Sequence, residues 1–592
     1  MYYPTLKSQS ASRRTVEVFR GCNLGQRISD GEFADMRNLT AEHYPVLSPR
    51  KPRGMYAAAE APGALIAKDT LCYTDGSCFV MGQNRIDMGL TAGEKQLVSM
   101  GAYVVIFPDK CYINTADITD FGPLEAQVCT EAAVSFTLCR PDGQTYSVTY
   151  TQASAPEEPE NQALWLDTSE TPHSLKQWSE STGVWVSIAS TYIRIESAGI
   201  GAPFAQYDGV TISGLADTEL TDHTTGLVLE NPAQLAALEG AAVIYDRGDD
   251  YLVIPGILDT AFSIDSPVTV SRKLPAMDFV IESNNRLFGC RYGLNDEGAV
   301  VNEIYASKLG DFRNWQCYMG LSTDSYAVTV GSDGPFTGAV THLGYPLFFK
   351  ERCVHKLYGS YPAEFQLQTT PCRGVQPGCG RSLAIVGETL FYKARHAICA
   401  YDGSLPVEVS EDLGDVGCDS AVAAAHGSRY YLCLHTGESA QLYVFDASRN
   451  LWHREDDLRA ADLCSCRDEL YAIEAGTGRI LALLGSGEQI EDRVSWMAQT
   501  GPIGIYTPDQ KTVSRLTLRM AADPGTTVRV YARYDFCEDW QELYTFRSSS
   551  LRSFSIPLRP QRCDHMYLKL EGEGNAKLFS MTQTITEGSE IS

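Results

Sequence analysis

Two runs of carboxylates are the first residues in this 592-residue chain whose spacing could do chemistry. "YDRGDDYLVI" (245–254) carries Asp246, Asp249 and Asp250, and "SEDLGDVGCD" (410–419) carries Glu411, Asp412, Asp415 and Asp419. Paired carboxylates can serve as acid and base on a glycosidic bond, or hold calcium through their oxygens. Neither run contains the D-x-[DN]-x-[DN]-G pattern of a calcium loop. The expectation is therefore solvated loop tips.

Other catalytic signatures are missing. None of the ten histidines falls in H-E-x-x-H, and neither G-x-x-x-x-G-K-[ST] nor G-x-S-x-G occurs. The Ser-x-Asp-x-Gly-x-x-Trp turn of sialidase propellers is approached only by "GSDGPFTG" (331–338), which fails at the aromatic. "EGEGNAK" places Gly572 and Gly574 between strands, where a hairpin turn is expected and a phosphate loop is not. The 18 cysteines are scattered; Cys464 and Cys466 form C-x-C, which is not the C-x-x-C of a zinc knuckle. Cys72, Cys78, Cys399 and Cys433 sit in apolar strand patterns and read as small buried hydrophobes. The sequence thus predicts no enzyme, no metal site and no cofactor.

Aromatic chemistry is more suggestive. Trp165, Trp178 and Trp185, three of seven tryptophans, fall within one short stretch. The plain expectation is that a tiny β module uses all three as its core; exposed indoles stacking on sugar faces are the alternative.

Strands must position these groups. Abundant Gly, Tyr, Val, Ile and Thr favour strands and turns. "NPAQLAALEG" (231–240) is the clearest helix, capped by Asn231 with Pro232 in its first turn. Phe33, Met36 and Leu39 in "SDGEFADMRNLT" predict a short helix within an otherwise extended segment over 1–60. A strand–turn–strand unit then recurs every 40 to 50 residues, as in "GALIAKDTLCYTDGSCFVMG", "DFVIESNNRLFGCRYG" and "RSLAIVGETLFYKARHAICAYDGS". That period is expected of propeller blades, whose sheets hide their apolar faces against one another. Trp315 and Trp452 are expected as packing between blades.

The predicted fold is mainly β: a β-propeller with an inserted small β module and a C-terminal β-sandwich. Its first blades occupy 61–125, the insertion 126–272, the remaining blades 273–489 and the sandwich 490–592. "ASAPEEPENQ" (153–162) reads as an exposed linker inside the insertion.

Net charge is −26, which argues against a basic nucleic-acid groove over the chain as a whole. No run reaches the roughly 18 apolar residues of a membrane span. The first residues carry no apolar stretch of signal-peptide length, so synthesis in the cytoplasm without export is expected.

The residues "FRGCNLGQRISDGEFADMRNLTAEHYPVLSPRKPR", "NRLFGCRYG…NEIYASKLGDFRNW" and "GYPLFFKERCVHKLYGS" resemble segments of bacteriophage and prophage tail proteins, among them hub or stabilisation proteins and tubular nozzle proteins. The stretch "WLDTSETPHSLKQWSESTGVWV" is similar to small modules in other tail proteins, a departure from the plain hub pattern. The resemblance implies a structural virion protein assembled in the host bacterial cytoplasm, joined to other tail proteins and to copies of itself in a cyclic homo-oligomer. Carboxylates facing a central lumen would let DNA pass without specific binding. The alternatives it leaves open are a receptor- or carbohydrate-binding tail protein, with Trp165, Trp178 and Trp185 meeting a host-surface glycan, and a propeller glycoside hydrolase.

Overall fold

The computed structural model describes residues 11–215, 220–229, 237–295, 298–505, 510–535, 537–559 and 561–587. The helix expected at 231–240 lies largely outside them. The chain is mainly β. The short helix expected around Phe33, Met36 and Leu39 is instead the strand Glu32–Arg37 followed by Leu39–Thr40. Phe33 and Met36 are still buried, because a bulge between Phe33 and Asp35 turns both inward.

Among the described residues, six sheets repeat one plan of four antiparallel strands in chain order, and a seventh varies it. They begin at Pro62–Ala67, Gln96–Met100, Phe279–Ser283, Phe336–His342, Ala384–Val386, Ser420–His426 and Ala460–Cys466. Turn chemistry sets the spacing. Asn284 and Asn285, both at positive φ, join Phe279–Ser283 to Arg286–Leu294, a two-residue link whose twist matches the strands it connects. Gly76, at φ 58°, does the same between Leu71–Asp75 and Cys78–Met81.

The seventh sheet differs. Its strands Ala460–Cys466, Glu469–Glu474 and Arg479–Ala482 take their fourth neighbour from far upstream, Gly54–Ala58, which pairs antiparallel with Arg479–Ala482 and with the short fifth strand Glu488–Gln489.

Two compact units contain these elements: residues 1–97, 336–356 and 368–592, and residues 98–335 and 357–367. In the first unit, opening strands of successive sheets pack on one another: Ala384–Val386 on Ser420–His426, that strand on Ala460–Cys466, and the latter on Pro62–Ala67. Apolar side chains fill each layer. Leu390 and Phe391 meet Tyr430 and Leu432; Val422 and Tyr431 meet Leu463 and Leu470; Ile473 and Ile480 meet Leu65 and Tyr73. Trp452 is 1% exposed and donates its indole N–H to Val409 O at 2.7 Å, tying one sheet to the end of the preceding one.

The same unit holds a nine-stranded sheet in which Ala11–Val16, Gly21–Cys22 and Glu32–Arg37 join strands from Ser495–Thr500 onward. Its spine, Lys511–Tyr534, breaks register around Ala522–Thr527, opposite the Gly574 turn. The spine alternates cleanly, so Leu516, Leu518, Met520, Val528 and Val530 enter one core.

In the second unit, the described residues between 126 and 272 form two larger sheets around Val134, Phe136, Ile193, Ile195, Val210, Ile212 and Val270, with Leu220–Thr221 and Val228–Leu229 paired beside them. A further small sheet, of four strands, is inserted between the strands Val134–Cys139 and Tyr192–Glu196.

Candidate functional site

That small sheet carries the three tryptophans. Its strands are Tyr150–Gln152, Leu164–Asp167, Ser174–Ser179 and Val184–Ser187, the first pair parallel and the others antiparallel. Gly183, at φ 64°, donates its N–H to Ser179 O at 2.8 Å and closes the last hairpin.

Alternation sorts the side chains. Leu164, Leu166 and Leu175 turn to one face and form a small core with Leu138. Trp165 lies opposite both Tyr150 and Lys176, and Trp178 lies opposite Trp185. The tryptophans therefore occupy the face away from the leucine core, where Trp165 is buried and the rings pack on one another. The Leu-Trp-Leu-Asp order of 164–167 held this signal, since period two separates the leucines from Trp165 and Asp167.

Nor do they make a flat platform of three rings. Trp165 and Trp185 have centroids 5.3 Å apart at 65°, Trp178 and Trp185 5.4 Å apart at 59°. Tilted contacts of this kind satisfy the ring quadrupoles and rigidify the cluster. Trp165 is only 5% exposed and donates its indole N–H to Gln152 O at 2.9 Å. Lys176 Nζ sits 4.9 Å over its ring and 2.7 Å from Asp167. Hydrogen bonds from Lys176 and Ser169 outweigh burial and hold the Asp167 carboxyl down at about 2. Trp165 is thus a fixed support, while Trp178 and Trp185 keep partial exposure.

Beside Trp178 an open hollow of about 540 Å³ is lined by Asn161, Gln162, Gln177, Trp178, Ser179 and Glu180. An indole bordered by amides, a hydroxyl and a carboxylate offers apolar contact next to donors and acceptors. That suits a hydroxyl-rich ligand with an apolar ring face. The amides and Lys176 carried no motif that sequence reasoning could have singled out.

The carboxylate runs are bound into their loops. Asp250 accepts the Gly199 N–H at 2.7 Å, Asp246 accepts the Tyr251 hydroxyl at 3.3 Å, and Asp249 pairs with Arg247. Asp415 meets His396 at 2.8 Å, and Asp419 accepts the Gly437 N–H at 2.8 Å. Glu411 and Asp412 lie in the one-turn helix Glu411–Leu413. Burial, with Glu32 and Glu411 nearby, raises the Asp412 carboxyl above its usual range. Among the described residues, no group of three or more His, Cys, Asp or Glu is placed to hold a metal ion.

No family model and no curated protein matches the chain. Among solved structures it is similar to an exo-β-1,3-galactanase of Phanerochaete chrysosporium at 8% identity, over 51% of this chain and 94% of that one, with a TM-score of 0.22. It is also similar to an acylaminoacyl peptidase of Pyrococcus horikoshii at 9% identity, over 57% of each chain, with a TM-score of 0.25. The extracellular domain of a putative one component system of B. thetaiotaomicron matches at 8% identity over 93% of this chain and 98% of that one, at a TM-score of 0.15. At these scores none carries a fold or an activity over to this chain.

Proposed function

We propose that this chain is a non-catalytic structural component of a bacteriophage tail, built as a β-propeller with an inserted β module and a C-terminal sandwich-like domain. One observation carries the architectural part: the seventh sheet takes in Gly54–Ala58, a strand that precedes the other six sheets, beside its own last long strand, Arg479–Ala482. Building a last blade with a strand from the front of the repeat ties the ring of a propeller shut. The face-on packing of opening strands within the first unit supports the same reading.

The tail role rests on the resemblance of the repeat and of the leading segment. It is supported by rigid layers, by a net charge of −26 and by carboxylates engaged in loops. Its partners are other tail proteins and copies of itself in a cyclic homo-oligomer, with DNA passing unbound. Electron microscopy of the purified chain tests the ring: closed rings are expected, and a monodisperse monomer at high concentration would remove that part. Co-sedimentation with intact phage particles tests the location, and absence from purified particles would overturn it.

A second reading is favoured by the partly exposed members of the indole cluster: binding of a host-surface glycan at Trp178 and Trp185. Glycan-array binding lost in Trp178→Ala, with the fold retained, is the expected result. Undiminished binding would sink it.

A further inference from the structure

Cys379 and Cys418 bring their sulfurs to 3.8 Å across the junction between the fifth and sixth sheets. Cys379 precedes the one-turn helix Gly380–Ser382, and Cys418 leads into the strand Ser420–His426. Their backbones are already locked together. A Cβ on Gly378 would lie 2.6 Å from Asp419 O, so only glycine permits that approach. Gln376 spans the gap, donating its amide N–H to Cys418 O at 2.6 Å while its oxygen accepts Lys393 Nζ at 3.1 Å. Lys393 is fully buried and also donates to Ala394 O at 2.6 Å. Cys379 is buried, whereas Cys418 keeps partial exposure.

We propose that Cys379 and Cys418 are a site of reversible disulfide formation, in which a small-molecule disulfide such as glutathione disulfide cross-links the two segments. The partly exposed Cys418 thiolate attacks one sulfur of glutathione disulfide, breaking its S–S bond and expelling one glutathione thiolate. Cys379 then gives up its proton to solvent, and its sulfur attacks Cys418 Sγ, releasing the second glutathione. Two protein thiols lose two electrons, and one glutathione disulfide becomes two glutathione thiols.

The roles are set by the surroundings. The hydrogen bond from Cys379 and the Lys393 charge draw Cys418 below the ordinary thiol range against its burial, while the same hydrogen bond and burial keep Cys379 protonated. The sulfurs must close from 3.8 Å to about 2.05 Å, while Gly378 and Gln376 hold the two segments against each other. The inference stands apart from the tail reading. If that reading holds, the cross-link would form after release from a reducing cytoplasm.

The test exposes the native full chain to glutathione disulfide, quenches in acid, denatures, and counts thiols by maleimide mass tagging. Two fewer tags per chain are expected, with a cross-linked peptide joining Cys379 to Cys418. Cys379→Ser should stop at a glutathione adduct on Cys418, and Cys418→Ser should yield neither adduct nor cross-link. An unchanged thiol count in the wild-type chain, or a peptide pairing other cysteines, would overturn the proposal whether or not the serine variants fold.

Discussion

Arg53 and Glu455 form an ion pair at 3.1 Å in which both side chains are less than a tenth exposed. Arg53 also grips Asp456 at 2.6 Å, and Arg50 meets Glu491 at 2.7 Å. This cluster lies directly before Gly54–Ala58, the strand that completes the seventh sheet. Arg53→Ala leaves the buried Glu455 carboxyl without its ion-pair partner, while Asp456 keeps Arg50, and should cost about 3–5 kcal/mol. Replacing Arg53 and Glu455 together by Met and Leu should cost much less. Urea denaturation of both variants checks this.

Gly572 faces the Trp496 indole so closely that a Cβ would lie 2.1 Å from the ring. The ring cannot swing away, because its N–H donates to Gly574 O at 2.9 Å. Gly572→Ala should therefore destabilise the nine-stranded sheet by about 1–3 kcal/mol. Chemical denaturation followed by Trp fluorescence reads the loss.

Acid should unfold the first unit through two buried imidazoles. Burial, with Arg429 and Arg449 nearby against Asp446, pushes His453 down to about 3, and burial beside Lys350 pushes His355 to about 4. In the unfolded chain both titrate near 6.5, so the unfolded state binds more protons below that pH. Stability from these groups is complete above about pH 6.5 and falls as pH drops towards 4 and 3, by up to roughly 1.4 kcal/mol per pH unit for each. The carboxyls of Asp446 and Asp456, held low in the fold, add loss in the same direction at the acid end. The urea midpoint should drop between pH 7 and 5, and His453→Gln should flatten that slope.

Packing and recognition can be separated in the indole cluster. Trp165→Ala removes an almost fully buried ring and the support of Lys176, and should cost about 3–5 kcal/mol. Trp178→Ala, half-exposed at the hollow, should cost clearly less while removing any glycan signal. Thermal melts of the two variants alongside array binding make the comparison.

Repetition was legible because its causes are local. Asn284-Asn285 and Asp75-Gly76 announce turns, and the apolar runs between them have strand length. Pairing across the chain was not legible. Nothing in "GMYAA" names Arg479–Ala482 as its partner, and nothing in "EFADMR" distinguishes a bulged strand from a helical stripe, since a bulge restores the spacing that a helix would give. The tryptophans show the middle case. Their clustering was visible, but which face they took depended on the alternation of neighbouring leucines, and their mutual tilt depended on register.

The long-range partnership of Gly54–Ala58 has a consequence for biosynthesis. A ribosome delivers that segment early and its partner hundreds of residues later, on the order of tens of seconds at usual elongation rates. Throughout the interval its amides are paired only with water, and it is open to capture by a neighbouring nascent copy. The Arg50–Lys51–Pro52–Arg53 stretch just ahead of it, with two positive charges, a ring that cannot donate and then another charge, is well suited to keep it solvated while it waits.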